Sequence, residues 1–296
     1  MSSWKPSSRE TAIASPRPKS SAQQPGTCRT AWWSVTRFGA CVFFLGFVLS
    51  LLVLPWAGLP WWSVFRRCVS IAAALSLWLC IKQFERRSWR SYGLPRGREG
   101  IRHLRFGMLL GLGTLGLLLT VGLASGACRI DLSPDRVKLW RTVLGFIPAA
   151  GVVSLLEELV FRGFILQHLL ACSRPLAITV SSALYALVHL KETATVTAAT
   201  GLELGGLFLL GGVLALSALR TGQLFVAIGL HAAFAYGARV NKLLIEFPDP
   251  SLSWLVGTSR LVNGLVGWLA LLAVGGVVIW WGRASRQGGG VRHGEA

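Results

Sequence analysis

The sequence predicts an all-α, polytopic membrane protein, a bundle of about eight transmembrane helices. The chain is 53% hydrophobic and 14% charged, with a mean hydropathy of +0.56, well above what a soluble globular domain needs. Apolar runs near the roughly 20 residues that cross a hydrocarbon layer recur along it. Its basic residues gather beside these runs, as the positive-inside rule expects, and not over one soluble face.

Residues 1–36 are rich in Ser, Pro, Lys and Arg and lack helical periodicity, so they read as a disordered, basic cytoplasmic tail. The first apolar run begins near Phe38 and is too long for the core of a cleaved signal peptide. Spans are expected at 38–56, 61–81, 104–125, 140–170, 175–190, 204–219, 222–238 and 261–282, within a membrane domain of 37–282. The stretches 175–190 and 222–238 are short and need shielding by neighbouring helices or local thinning of the bilayer. Residues 283–296 form a second basic tail. Eight Lys or Arg against two Glu between Lys82 and Arg105 place that loop, and with it both termini, in the cytoplasm. Arg66, Arg67 and the mixed loop from Arg129 to Arg141 oppose this orientation.

The net charge of +18 raises nucleic acid as a partner, but no nucleic-acid module accompanies it. The six cysteines show no CxxC spacing and no disulfide framework, so they read as small apolar packing residues.

The chemistry sits in Leu155-Leu156-Glu157-Glu158-Leu159-Val160-Phe161-Arg162, inside an otherwise apolar run from Val143 to Ala171. A charged group near a bilayer centre costs about 2.5–3.5 kcal/mol, so such residues need partners or water and mark function by default. At about 100° per residue Glu158 and Arg162 share a face and can pair, while Glu157 points elsewhere. A buried cluster that merely fixes packing would need one pair, not a second carboxylate.

The next apolar segment ends in Tyr185-Ala-Leu-Val-His189. With a turn centred near Ser173, Glu157 lies sixteen residues before it and His189 sixteen after, so an antiparallel hairpin puts both at one depth. His231 follows the turn Arg220-Thr221-Gly222 by nine residues, about 14 Å into the layer from the same side. His103 and His293 lie in basic flanks, and His168 lies near a helix end, where an interfacial role is expected.

Two glutamates, an arginine and two histidines on three apolar helices, in that order, resemble the CAAX prenyl protease and bacteriocin-processing (Abi-type) family of intramembrane proteases, over about 140–241. The family's Glu-Glu-x-x-x-Arg is matched by Glu157, Glu158 and Arg162. Its Phe-x-x-x-His is matched by His189 with Tyr185 in place of Phe, and its His-x-x-x-Asn or Asp begins at His231 and departs at Ala235. That asparagine is thought to help hold the water or the oxyanion; Asn241 and Asn263 are the only asparagines in the chain that could fold back to serve.

The resemblance implies peptide hydrolysis, with Glu157 as general base on water, Glu158 and Arg162 holding the helix, His189 positioning the water and His231 donating to the oxyanion. No Ser or Cys shows a linked base, so a covalent nucleophile is not expected. Glu157, His189 and His231 also make a set that a zinc or other divalent ion could use, although there is no His-Glu-x-x-His helix and no cofactor is firmly implied. Some family members remove the last three residues of prenylated proteins, and others act in peptide maturation or bacteriocin immunity. The expected partners are a peptide or protein substrate at the membrane and the bilayer itself, with no nucleic acid, in the cytoplasmic membrane of a bacterium. Two other readings stay open: a proton- or ion-coupled transporter, although the halves show no repeat, and a non-catalytic binding or immunity protein of the same fold.

Overall fold

The computed structural model describes residues 27–84, 88–132, 135–189, 197–258 and 261–290. Among them the long helices are α1 (Cys28–Ala57), α2 (Trp61–Leu79), α3 (Arg98–Ala124), α4 (Arg136–Glu158), α5 (Arg174–Val188), α6 (Ala198–Thr221), α7 (Phe225–Leu244) and α8 (Leu265–Gly290). Helix α4 runs on through a π-helical stretch, Leu159–Leu166, and a last turn, Gln167–Leu169. Six helical stretches are long and apolar enough to cross a membrane: Cys28–Ala57, Trp61–Gln83, Arg98–Ala124, Arg136–Leu169, Ala198–Thr221 and Leu265–Arg283. Large apolar side chains such as Phe43, Leu52, Trp56, Leu109, Val152 and Trp280 stay exposed on their outer faces, the surface that lipid tails cover. The protein is therefore an integral membrane protein of all-α, polytopic fold.

The two segments expected to be short are the two that are not among those six. Helix α5 has 15 residues and α7 has 20, with Tyr236, Arg239, Asn241 and Lys242 lowering its hydropathy. Both are shielded by neighbours: α5 packs on α6 and the π-helical stretch, and α7 on α3, α4 and α6. Every residue from Val226 to Phe234 of α7 is buried.

The ends of the elements follow from local chemistry. Asp135 caps α4 by accepting from the Lys138 N–H at 2.9 Å, Ser173 caps α5 through the Leu176 N–H at 3.2 Å with Pro175 in the first turn, and Thr197 caps α6. Gly222 closes α6 in the left-handed region at φ 68°. A two-residue antiparallel ribbon, β1 (Arg129–Ile130) with β2 (Ile245–Glu246), ties the α3–α4 connection to the end of α7. There the Arg129 guanidinium meets the Glu246 carboxylate at 2.6 Å, and this contact holds the arginine's pKa above its ordinary value.

Helix α7 is fixed in depth by a glycine crossing with α3. A Cβ on Gly107 would lie 2.2 Å from the Val226 carbonyl oxygen, and one on Gly229 would lie 2.2 Å from the Leu104 carbonyl oxygen. Backbones approach this closely only where small residues face each other. His231 stands two positions beyond Gly229, so this crossing sets where the imidazole lies.

Three expectations change. The tail does not reach residue 36: α1 begins at Cys28 behind a Thr27 cap, because Ala31 and Val35 bury against the bundle. At the other end α8 continues past 282 to Gly290, while residues 1–26 and 291–296 lie outside the described residues. Cys28 and Cys172, 144 residues apart, form a disulfide that joins the start of α1 to the α4–α5 turn. Its thiols meet through tertiary packing, which no cysteine spacing announces. Cys68 and Cys128 are free and buried, in keeping with packing roles, Cys80 is half-buried, and Cys41 is free and exposed.

Candidate active site

The end of α4, the end of α5 and the first third of α7 converge on the carboxylates. Glu158 is fully buried, whereas Glu157 keeps 27% of its side chain exposed. Glu158 Oε1 accepts from Arg162 Nη1 at 2.8 Å and from His231 Nδ1 at 2.8 Å. The Arg162 Nη2 donates to the Gly211 carbonyl of α6 at 3.1 Å, and its guanidinium lies 4.6 Å from the Tyr185 ring centroid. That carbonyl is within reach because α5 and α6 cross closely: a Cβ on Gly211 would lie 3.0 Å from the Ser182 Cα.

The π-helical stretch starts directly after Glu158, and all eight of its residues are buried. Such wide turns recur at functional sites. The Phe161 carbonyl within this one accepts from the Ser181 hydroxyl of α5 at 2.9 Å.

The two imidazoles present the same atom to Glu157. His189 Nδ1 donates to the Tyr185 carbonyl at 2.7 Å, and His231 Nδ1 donates to Glu158, since a carbonyl and a carboxylate can only accept. In each neutral ring the remaining Nε2 is therefore an acceptor. These nitrogens lie 3.8 Å (His189) and 3.7 Å (His231) from Glu157 Oε2, too long for direct hydrogen bonds. Glu157 Oε2 is buried and has no hydrogen-bond partner. The Tyr185 hydroxyl, on a side chain only 2% exposed, is 3.3 Å from His231 Nε2.

All five residues singled out by sequence, Glu157, Glu158, Arg162, His189 and His231, thus stand in one cluster. Two features escaped that reading: the Gly211 carbonyl, which no side-chain pattern can signal, and the Tyr185 hydroxyl, whose signal was the tyrosine standing where the family has phenylalanine. His231, read from sequence as the oxyanion donor, has its Nδ1 2.8 Å from Glu158 Oε1 and its Nε2 3.7 Å from Glu157 Oε2. Neither asparagine folds back: Asn263 exchanges two 2.9 Å bonds with Thr258, and Asn241 lies ten residues, about 15 Å, along α7 from His231. His168 Nδ1 meets the Phe164 carbonyl at 2.8 Å. His103 is buried against Trp281 at 4.9 Å, not held in a solvated flank.

As a zinc set the residues do not fit well. Ligands about 2.0–2.1 Å from a tetrahedral ion stand roughly 3.4 Å apart, whereas Glu157 Oε2 is 3.7 and 3.8 Å from the two nitrogens. Among the described residues no group of three His, Cys, Asp or Glu is arranged to hold a metal ion.

Residues 139–237, about a third of the chain, match the family model for Rce1-like proteins, the type II CAAX prenyl endopeptidase Rce1-like family. No curated protein matches the chain. The matched segment runs from the first turn of α4 into α7 and contains every residue of the carboxylate–imidazole cluster, so over this third of the chain the protein is similar to the Rce1-like type II CAAX prenyl endopeptidases.

Proposed function

We propose that the protein is an intramembrane endopeptidase that hydrolyses a peptide bond of a lipidated or membrane-embedded substrate, with Glu157 activating water directly. The observation that carries this reading is the position of Glu157 Oε2, buried and unpartnered, at 3.7–3.8 Å from two imidazole acceptors. Polar groups at such separations are bridged by one water. Glu157 takes one hydrogen of that water and an imidazole Nε2 holds the other. The oxygen then attacks the scissile carbonyl, the C–O bond forms, and Glu157 passes its proton to the leaving amine as the C–N bond breaks.

Glu158 has a different task. It is engaged by Arg162 and His231, so it balances charge and fixes the His231 tautomer while Glu157 stays free to exchange protons. His189 is positioned through its bond to the Tyr185 carbonyl.

The test is the reconstituted protein with a farnesylated peptide ending in Cys and three apolar residues. Release of the terminal tripeptide, seen by mass spectrometry and absent with Glu157→Ala, supports the proposal. Equal release by a folded Glu157→Ala protein overturns it.

A further inference from the structure

We infer that the Tyr185 hydroxyl is the oxyanion donor of this site, and that it replaces the polar side chain missing at Ala235. The inference rests on the hydrolytic reading above. With both imidazoles uncharged, the cluster has many acceptors and few hydrogens to give. Glu157 and Glu158 accept, both Nε2 atoms accept, and the Nδ1 hydrogens of His189 and His231 are committed to the Tyr185 carbonyl and to Glu158. The Arg162 guanidinium is fully buried, with Nη1 directed to Glu158 and Nη2 to the Gly211 carbonyl, and its Nε stands buried without a hydrogen-bond partner.

A tetrahedral intermediate needs at least one donor at its oxygen. Among the described residues Tyr185 supplies the one hydroxyl shown to contact the imidazoles, 3.3 Å from His231 Nε2, with its ring centroid 4.6 Å from the Arg162 guanidinium and 4.6 Å from the His189 ring. At rest its O–H hydrogen points to His231 Nε2. As the oxyanion forms, rotation about the phenolic C–O bond carries that hydrogen to the new oxygen and frees Nε2 for the water; no bond to it breaks. Ala235 lies one turn beyond His231 on the same face of α7 and offers no polar atom. Phenylalanine with asparagine, in the family's pattern, and tyrosine with alanine, here, are thus two ways of placing one donor beside the same imidazole.

The experiment compares wild type, Tyr185→Phe, Ala235→Asn and the double variant with the farnesylated peptide. Tyr185→Phe should lower kcat about a hundredfold, the usual effect of losing one oxyanion donor, with KM within about twofold. Ala235→Asn in that background should recover at least about tenfold. A Tyr185→Phe rate within about threefold of wild type overturns the donor role, and loss without recovery in the folded double variant overturns the exchange between the two positions. A readout independent of turnover is the ¹⁵N resonance of His231 Nε2. It should move in Tyr185→Phe as the hydroxyl is lost, and an unchanged resonance contradicts the contact even if no peptide is cleaved.

Discussion

Arg162→Met leaves the buried Glu158 carboxylate without its cation, and the structure sets the size of the effect. Both partners are fully buried, the Nη1–Oε1 distance is 2.8 Å, and the second guanidinium nitrogen holds the Gly211 carbonyl at 3.1 Å. Removing one member of such a pair costs about 3–5 kcal/mol, because the remaining charge stays buried. At roughly 2–4 °C per kcal/mol for chains of 150–250 residues, the thermal midpoint in detergent should fall by about 10 °C. Glu158→Leu combined with Arg162→Met removes both charges at similar volume and should regain most of that loss, as buried pairs replaced together often do. The assay is the melting curve of purified protein followed by size-exclusion fluorescence. An Arg162→Met midpoint within about 2 °C of wild type, or a double variant no better than the single, refutes the view that Glu158 is a charge held by Arg162.

Other outcomes follow from the same contacts. Gly229→Val places a side chain where the Leu104 carbonyl stands 2.2 Å from a Cβ position, so α3 and α7 must part and His231 must move; cleavage should be lost and the midpoint should drop, and normal activity would show that the crossing does not position the histidine. Ser181→Ala removes the hydrogen bond that its hydroxyl gives the Phe161 carbonyl at 2.9 Å and should cost about 0.5–1.5 kcal/mol, read as a lowered melting midpoint; an unshifted midpoint would remove Ser181 from the support of the π-helical stretch. Cys28 and Cys172 are bonded and tie the start of α1 to the α4–α5 turn. Non-reducing peptide mapping of protein alkylated in intact cells should yield the bridged peptides, and reduction should lower the melting midpoint. Two alkylated thiols would contradict the bridge.

Much of the site was legible because its residues break an apolar pattern. Glu157, Glu158 and Arg162 stand out in a run that otherwise avoids charge, and the hairpin about Ser173 is marked by a cap and a proline, which brings His189 to the depth of Glu157 by counting alone. The membrane helices were legible for the same reason. What stayed hidden depends on tertiary contact. The first turn of α1 is polar enough to read as tail, yet Ala31 and Val35 find the core. The hydrogen budget of the imidazoles is set by a backbone carbonyl and by Glu158, and only their geometry shows that His231 accepts at Nε2. The disulfide joins segments 144 residues apart, beyond any local signal.

The division of labour between two adjacent glutamates is tested most directly by the single-turnover cleavage rate of Glu157→Gln. That side chain is isosteric and reaches the same space between His189 and His231, but it cannot take a proton from water. With peptide affinity and melting midpoint unchanged, the rate should fall at least about a hundredfold, the contribution of a positioned general base. A rate within a few-fold of wild type would contradict Glu157 as the base.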